Sequence, residues 1–393
     1  MKMDISYYIL RCFGLRGHDH VIARSFTRPE WLYRSSVRIP KAPFTLPAAS
    51  EPGAEDRELC RRLIAAWEKA KPRDMPYGRI WSRVIREHYE PLQAVLEQRD
   101  ANGLATLLCR MFRSSCLHGI AHGDLYRIGN INNFAKRAWQ LKLLDDCVSL
   151  GEYLGVVRVE NPEQRDIGLA LSDGVPALIR LIEDRLGEPV VSFPRVGSPY
   201  GFDAEGCLIT MESPEHIYVG ARIREAVRVH LPEVVAPEVI EIGGGFGGLA
   251  YYLLRLLPSI SAYTIVDLPI VNVLQGYFLG RCFGADAVSL LDEPRARIRV
   301  LPPDVIGQQS CDVLINENSM PEMPPETVLG YLRWAALGVR GIFYSYQQEA
   351  WTDQVLLHSV IEDEGAFRRL SRNRSWVRRG YVEEVYAVGS LKH

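Results

Sequence analysis

In the stretch EIGGGFGGLA, Glu241, Gly243, Gly245 and Gly247 set an acid and three glycines at alternate positions, while Gly243, Gly245 and Gly248 satisfy GxGxxG. Both spacings describe a nucleotide cradle. Glycines allow the turn and a close backbone approach, and the helix that follows points its free N–H groups at the ligand. GxGxxG suggests a dinucleotide. The acid-first spacing suggests S-adenosylmethionine, because a carboxylate at Glu241, at the end of the preceding strand, can pair with that ligand's cationic amino-acid end. A dinucleotide offers no such cation. Asp267, ending the next strand in YTIVDLP, is placed to accept hydrogen bonds from ribose hydroxyls under either reading.

A sulfonium methyl is already electrophilic, so transfer to a hydroxyl needs alignment and a group that takes the proton. Candidates lie where ligands of open α/β sheets bind, at the carboxyl ends of the strands: Glu317, Glu322, Tyr346 and Glu349. Glu322 is the first choice for base, although PEMPPE also reads as the acidic entry to a helix beginning near Thr327. His358 in VLLHSVI reads more readily as a packed structural histidine than as a catalytic one. His216, Tyr218 and Arg222, on the helix before the first strand, would either cover the donor's amino-acid end or simply pack. In LHGIAHGD, His118, His122 and Asp124 have a spacing that suits a metal, but Gly119 and Gly123 weaken any helix there and no further ligand follows. No metal site is assigned; a divalent metal stays open without being indicated.

From about residue 236 short apolar strands alternate with helices: VIEIG, GGLAYYLLRLL, AYTIVDL, VNVLQGYFLGRCFG, RIRVLP, CDVLINE, TVLGYLRWAA, GIFYSY and DQVLLHSVIEDEG, then strands near 367–371 and 382–388. Such alternation implies a mostly parallel sheet covered on both faces. About 150 residues follow the glycine loop, which leaves no room for a separate catalytic domain downstream. Upstream, 20–55 is rich in Pro, Ser and Arg, and helical periodicity runs from there to about 187. Asp203–Gly206 has the residues of a hairpin turn, and ESPEHIYVGARIREAVRVHLPE reads as a helix. The divisions expected are 1–188, a mainly helical region that selects and covers the substrate; 189–235, hairpin and connecting helix; and 236–393, the donor-binding domain. NINNF, Arg137 and Trp139 are candidates for an acceptor pocket.

The 393 residues are 47% hydrophobic and 24% charged, with a formal charge of -2, an ordinary soluble composition that implies no polyanion partner. Arginine supplies 39 of the 46 basic residues, a bias that does not point to nucleic acid. Eight scattered cysteines without a CxxC pair suit reduced thiols, and no apolar run is long enough to span a bilayer, so a cytoplasmic protein is expected.

EIGGGFGGLAYYLL, YTIVDLPIVNVLQGYFLG and NENSMPEMPPETVLGYL, with GSPYGFDAEGCLI and HIYVGARI upstream, resemble the bacterial sugar O-methyltransferases, a branch of the class I S-adenosylmethionine-dependent methyltransferases. The resemblance covers about residues 196–346. It implies a Rossmann-like class I methyltransferase domain, with a mostly parallel seven-stranded sheet, after the mainly α-helical N-terminal region. It also implies Glu241, Gly243, Gly245 and Gly247 as the donor loop, Asp267 and Leu268 at the ribose and adenosine, and Pro303 and Asp304 beside the adenine. Asn316 and Glu317 would lie where methyl and acceptor meet. NENSMPEM departs from the more Ser- and Phe-rich loop expected there. The expected activity is O-methylation of a hydroxyl on a sugar or glycosylated small molecule, as in secondary metabolism, with S-adenosylmethionine as cofactor and a small-molecule acceptor as partner. Nucleic acid and membrane are not expected, and a homo-oligomer stays open. The competing classes are an NAD(P)-dependent oxidoreductase using the same loop and a methyltransferase-like binding protein without chemistry.

Overall fold

A computed structural model describes residues 26–32, 44–45, 50–70, 78–121, 133–164, 168–349 and 355–389. In the first half, α1 (Ala54–Ala70), α2 (Arg79–His88), α3 (Glu90–Glu97), α4 (Ala101–Leu108), α5 (Asn133–Tyr153) and α6 (Val175–Leu186) realise the helical periodicity. α1 buries Leu59, Cys60, Leu63, Ile64 and Trp67, a stripe at three- and four-residue spacing. β1 (Phe44–Thr45), β2 (Gly201–Ala204) and β3 (Cys207–Ile209) form a small antiparallel sheet. Its β2–β3 turn is the expected one: Glu205 and Gly206 both have positive φ, and Asp203 Oδ1 accepts from the Gly206 N–H at 2.7 Å. α7 (Ser213–His230) then leads to the main sheet.

That sheet contains β4 (Glu238–Ile242), β5 (Ala262–Val266), β6 (Val288–Ser289), β7 (Ile298–Leu301), β8 (Cys311–Glu317), β9 (Val339–Gln348), β10 (Phe367–Arg374) and β11 (Tyr381–Val388), in the order β10-β11-β9-β8-β4-β5-β7-β6. The β10–β11 and β11–β9 pairings are antiparallel, and the other five are parallel. The Rossmann-like α/β fold is therefore as expected. The sheet has eight strands among the described residues rather than seven, because two-residue β6, too short to leave a sequence pattern, adds to the edge at β7. α8 (Gly248–Leu256), α9 (Pro269–Phe283), α10 (Pro325–Gly338) and α11 (Leu357–Glu364) connect the strands.

Alternate residues of each strand feed two cores. Ile240, Ile242, Val266, Leu314 and Phe343 pack under α10 and α11, whereas Val239, Tyr263, Ile265, Val313 and Tyr344 join a core continuous with the helical half. The docking of α1 on α9 shows why the two halves fit. A Cβ added at Gly276 would lie 2.6 Å from Leu63 Cδ2, and one at Gly280 2.9 Å from Leu59 Cδ2, so two glycines one turn apart receive two leucines one turn apart. Tyr277 between them donates to Asp56 Oδ1 at 2.9 Å, and Arg281 Nε lies 3.1 Å from the same oxygen. Further along, buried Arg28 ties the amino-terminal segment to α5 through Asp145, at 2.8 Å, and Glu152. No described helix is long and apolar enough to cross a membrane.

Gly276→Leu should lower stability by about 1–3 kcal/mol through overpacking against Leu63, read as a lower midpoint in urea unfolding with an unchanged slope.

Candidate active site

The chain builds the sheet outward from β4 through β5 to β7, then returns to the other side of β4 with β8. The loops after β4 and β8 therefore diverge, and a crevice opens at the carboxyl ends of these strands. A cavity of about 680 Å³ occupies that place. Gly243, Gly244, Gly245, Phe246 and Gly248 from the loop after β4 line it, with Asp267 and Leu268 after β5, Pro303 after β7, and Glu317, Ser319, Glu322 and Pro324 around the turn after β8.

The glycines answer distinct demands. Gly243 has φ 73°, and a Cβ there would meet Ser319 Cβ at 2.2 Å, because the Ser319 hydroxyl donates to the carbonyl of Ile242. Gly247, with φ 92°, begins α8, and its Cβ would press on Leu279 at 3.1 Å. Gly245 is positive in φ too, but its nearest neighbour is Ile120 of the helical half at 3.7 Å, so at this position the loop is open to the cavity. Asp267 accepts from the Leu268 N–H and from Gln275 Nε2, both at 2.7 Å, and Gln275 Nε2 also reaches the Gly245 carbonyl at 2.9 Å. That amide locks the acid at the end of β5 to the glycine loop.

Glu241 is placed differently from the expectation. It is 1% exposed and sits beneath the loop, where Tyr263 donates to Oε2 at 2.8 Å and Oε1 has no hydrogen-bond partner; it does not line the cavity. Burial pushes its carboxyl up to about 7, and burial does the same for Asp267. Of the other named residues, Leu268, Pro303, Glu317 and Glu322 line the cavity, while Asp304, one residue beyond Pro303, is exposed and does not. Asn316 is fully buried behind the wall; its Oδ1 accepts from the backbone N–H of Ser319 at 3.3 Å and of Met320 at 2.8 Å, which shapes the turn after β8.

Tyr218 and Arg222 require correction. Both point to the sheet, where the Tyr218 hydroxyl donates to Glu383 Oε2 at 3.1 Å and Arg222 Nε to Glu383 Oε1 at 2.7 Å. The face of α7 toward the cavity instead carries Glu212, Glu215 and His216, at the three- and four-residue spacing that puts them on one side of a helix. His358 is likewise outside the cavity: its Nδ1 lies 2.9 Å from Glu349 Oε1, and Glu349 also holds Arg372, a surface network that joins α11 to β10. Tyr346 is buried, its hydroxyl 2.9 Å from Ser375 Oγ. Arg137 and Trp139 do not line the cavity, and part of NINNF lies outside the described residues, as do His122 and Asp124. His118 stacks on His88 with ring centroids 3.6 Å apart, and among the described residues no cluster of three His, Cys, Asp or Glu could hold a metal.

The helical half closes the cavity with Gly78, Trp81, Gly119, Ile120 and Ala121, none of which carried a sequence signal. Trp81 Nε1 donates to Glu322 Oε2 at 3.1 Å, and burial raises the Glu322 carboxyl to about 7. Glu317, 9% exposed, is raised well above the usual range by burial and by Glu215 and Glu241 nearby. Arg378 and Tyr381, from the β10–β11 hairpin, complete the wall; Arg378 Nη1 lies 3.0 Å from both carboxylate oxygens of Glu215, with its guanidinium 4.0 Å over the Tyr381 ring.

No family model and no curated protein matches the chain. Solved structures to which it is similar include magnesium protoporphyrin IX methyltransferase of Synechocystis PCC 6803 with bound S-adenosylhomocysteine, at 12% identity over 45% of this chain and 84% of that one, TM-score 0.33. Phosphoethanolamine N-methyltransferase 1 of Haemonchus contortus, in complex with phosphoethanolamine and S-adenosylhomocysteine, matches at 12% identity over 46% and 44% of the two chains, TM-score 0.34. The methyltransferase domain of bacterial CtHen1 matches at 12% over 44% and 99%, TM-score 0.32.

Glu241, Asp267 and Glu322 all hold protons more tightly in the folded chain than in the unfolded one. Their contribution is fully present below the unfolded carboxylate range and is lost as pH rises through about 7. Thermal melts of the ligand-free protein should therefore shift down between about pH 5 and pH 8, and Glu241→Gln should flatten that slope by roughly 2–3 kcal/mol. A melt that shifts upward over this range contradicts the assignment.

Proposed function

We propose that the chain is an S-adenosylmethionine-dependent methyltransferase acting on a hydroxyl of a sugar or glycosylated small molecule. The observation that carries the donor is the charge around the glycine loop. Among the described residues Glu212, Glu215, Asp267, Glu317 and Glu322 line one cavity against a single guanidinium, Arg378, which is already engaged by Glu215. A pyrophosphate would bring two negative charges into that wall; the methyl donor brings a net positive one. This favours the donor over an NAD(P) cofactor.

S-adenosylmethionine, when bound, supplies an electrophilic sulfonium methyl. The glycine loop and the start of α8 offer backbone N–H groups and room for close approach, and Asp267, held by Gln275, offers a carboxylate to ribose hydroxyls. Leu268 and Pro303 give the apolar wall for a purine. Across the cavity Glu322 is a carboxylate titrating near neutrality beside an indole, suited to take the proton of an acceptor hydroxyl. Ile120 and Trp81 of the helical half line the same cavity, which supports that half as the acceptor-selecting layer. With the base built in and no metal needed to lower a hydroxyl pKa, the site also favours chemistry over a binding-only role.

Calorimetry should register S-adenosylhomocysteine and not NADH; the reverse result rejects the donor. Glu322→Gln should keep donor binding and lose about 10²-fold or more in turnover on an accepted glycoside, followed as a one-methyl mass increase. Unchanged turnover removes Glu322 from the mechanism.

A further inference from the structure

We infer that the acceptor carries a protonated amine beside its reactive hydroxyl, so that the substrate class is an amino sugar or amino-glycoside, bound through Glu317. The inference rests on the methyl-donor reading and deepens it. Its first ground is the inventory of the cavity wall. Among the described residues no lysine lines it, and the one arginine that does is held at 3.0 Å by both oxygens of Glu215. An acceptor bearing a carboxylate or phosphate would find no uncommitted cation among the described lining residues, and it would meet Glu317 and Glu322.

The second ground is Glu317 itself. Its side chain is 9% exposed, it lines the cavity, and among the described residues its carboxylate accepts no hydrogen bond; the His216 ring lies nearest, with Nε2 at 3.8 Å, and Arg378, held by Glu215, acts on it only through its charge. A buried carboxylate without a hydrogen-bonded partner costs several kcal/mol in ionised form unless a ligand supplies the charge and the donors. An ammonium supplies both. The methyl donor compensates one carboxylate of the wall, and the wall holds more than one beyond the Glu215–Arg378 pair and the Asp267–Gln275 pair.

The third ground is the separation of roles. Glu322 belongs to a different neighbourhood, hydrogen-bonded to Trp81 on the helical side, and Glu317 ends β8 beside His216. Two carboxylates, one engaged by an indole and one not, allow a single sugar ring to place its ammonium on Glu317 and its hydroxyl on Glu322. The Trp81 ring in the same wall suits the apolar face of a sugar, and an indole also attracts a cation. No bond to the amine forms or breaks: the methyl passes from sulfur to the hydroxyl oxygen, the hydroxyl proton passes to Glu322, and neutral thioether leaves.

The test uses the full chain saturated with S-adenosylhomocysteine and three probes that share one ring: methyl glucosaminide, methyl glucoside and methyl glucuronide, titrated by calorimetry at about pH 7, where the glucosaminide amine is mostly protonated. The aminated probe should bind at least about 10-fold more tightly than the neutral one, and the acidic probe more weakly than both. Glu317→Gln should remove the preference for the amine, with S-adenosylhomocysteine binding retained as evidence of folding, whereas Glu322→Gln should preserve it. Absence of the preference in the parent protein, or its survival in Glu317→Gln, overturns the inference and leaves the donor intact. Failure of S-adenosylhomocysteine to bind rejects the donor reading, and the inference falls with it.

Discussion

The contact on which the site depends is the one between the Ser319 turn and the glycine loop. β4 and β8 are neighbours, yet their connections leave in opposite directions, so their carboxyl ends are the one place where two loops of the parallel sheet face each other across a crevice. Ser319 closes the base of that crevice by donating to the Ile242 carbonyl, and Asn316 holds the turn in place by accepting from two of its N–H groups. The glycine at 243 follows from this: with Ser319 Cβ 2.2 Å from where a side chain would start, nothing larger fits. The first glycine of the motif is thus demanded by packing between loops, and Gly245, which opens on the cavity, by its positive φ. One motif carries two physical requirements that its letters do not distinguish.

The same site shows how far a sequence can be read. Strands β4, β5, β7, β8 and β9 and the helices between them were legible because buried parallel strands are continuous apolar runs and their helices keep a 3.6-residue period. The lining positions Asp267, Glu317 and Glu322 were legible for the same reason, since topology places strand ends at the crevice, whereas Leu268 and Pro303 came through the family resemblance. Residues whose relevance depends on direction were not. Tyr218 and Arg222 lie on the right helix but the wrong side of it, turned toward Glu383 on β11, a partner some 160 positions away. The face that counts carries Glu212, Glu215 and His216, and helical spacing alone ties these three together without saying which way they point. Trp81 was invisible, since its significance comes wholly from a tertiary contact with Glu322.

Glu241 illustrates a subtler difference. Its type and place before the glycines were the reason to prefer a cationic ligand, yet its carboxylate lies under the loop against Tyr263, with one oxygen unsatisfied, and does not line the cavity. A charge in that position acts through the field it projects into the loop and through Glu317, whose carboxyl it helps to raise. The preference for a cation therefore survives with different residues carrying it: the wall supplies the carboxylates, and Glu241 adds to them from beneath.

The cavity wall also explains why the helical half is bound into the same core as the sheet rather than tethered to it. Burial raises Glu241, Asp267 and Glu322 toward neutrality, and Trp81 on α2 sets its indole N–H against the Glu322 carboxylate. If that layer moved freely, Glu322 would be solvated and would return toward an ordinary carboxylate, too weak a base for a hydroxyl proton near pH 7. Leucines of α1 set into Gly276 and Gly280 of α9, with Tyr277 on Asp56 between them, fix the layer on the helix that follows Asp267. The helix that carries Gln275 to the glycine loop is the helix on which the cover is seated. Glycine loop and cover are thus both attached to one helix, the loop through Gln275 and the cover through Gly276, Tyr277 and Gly280.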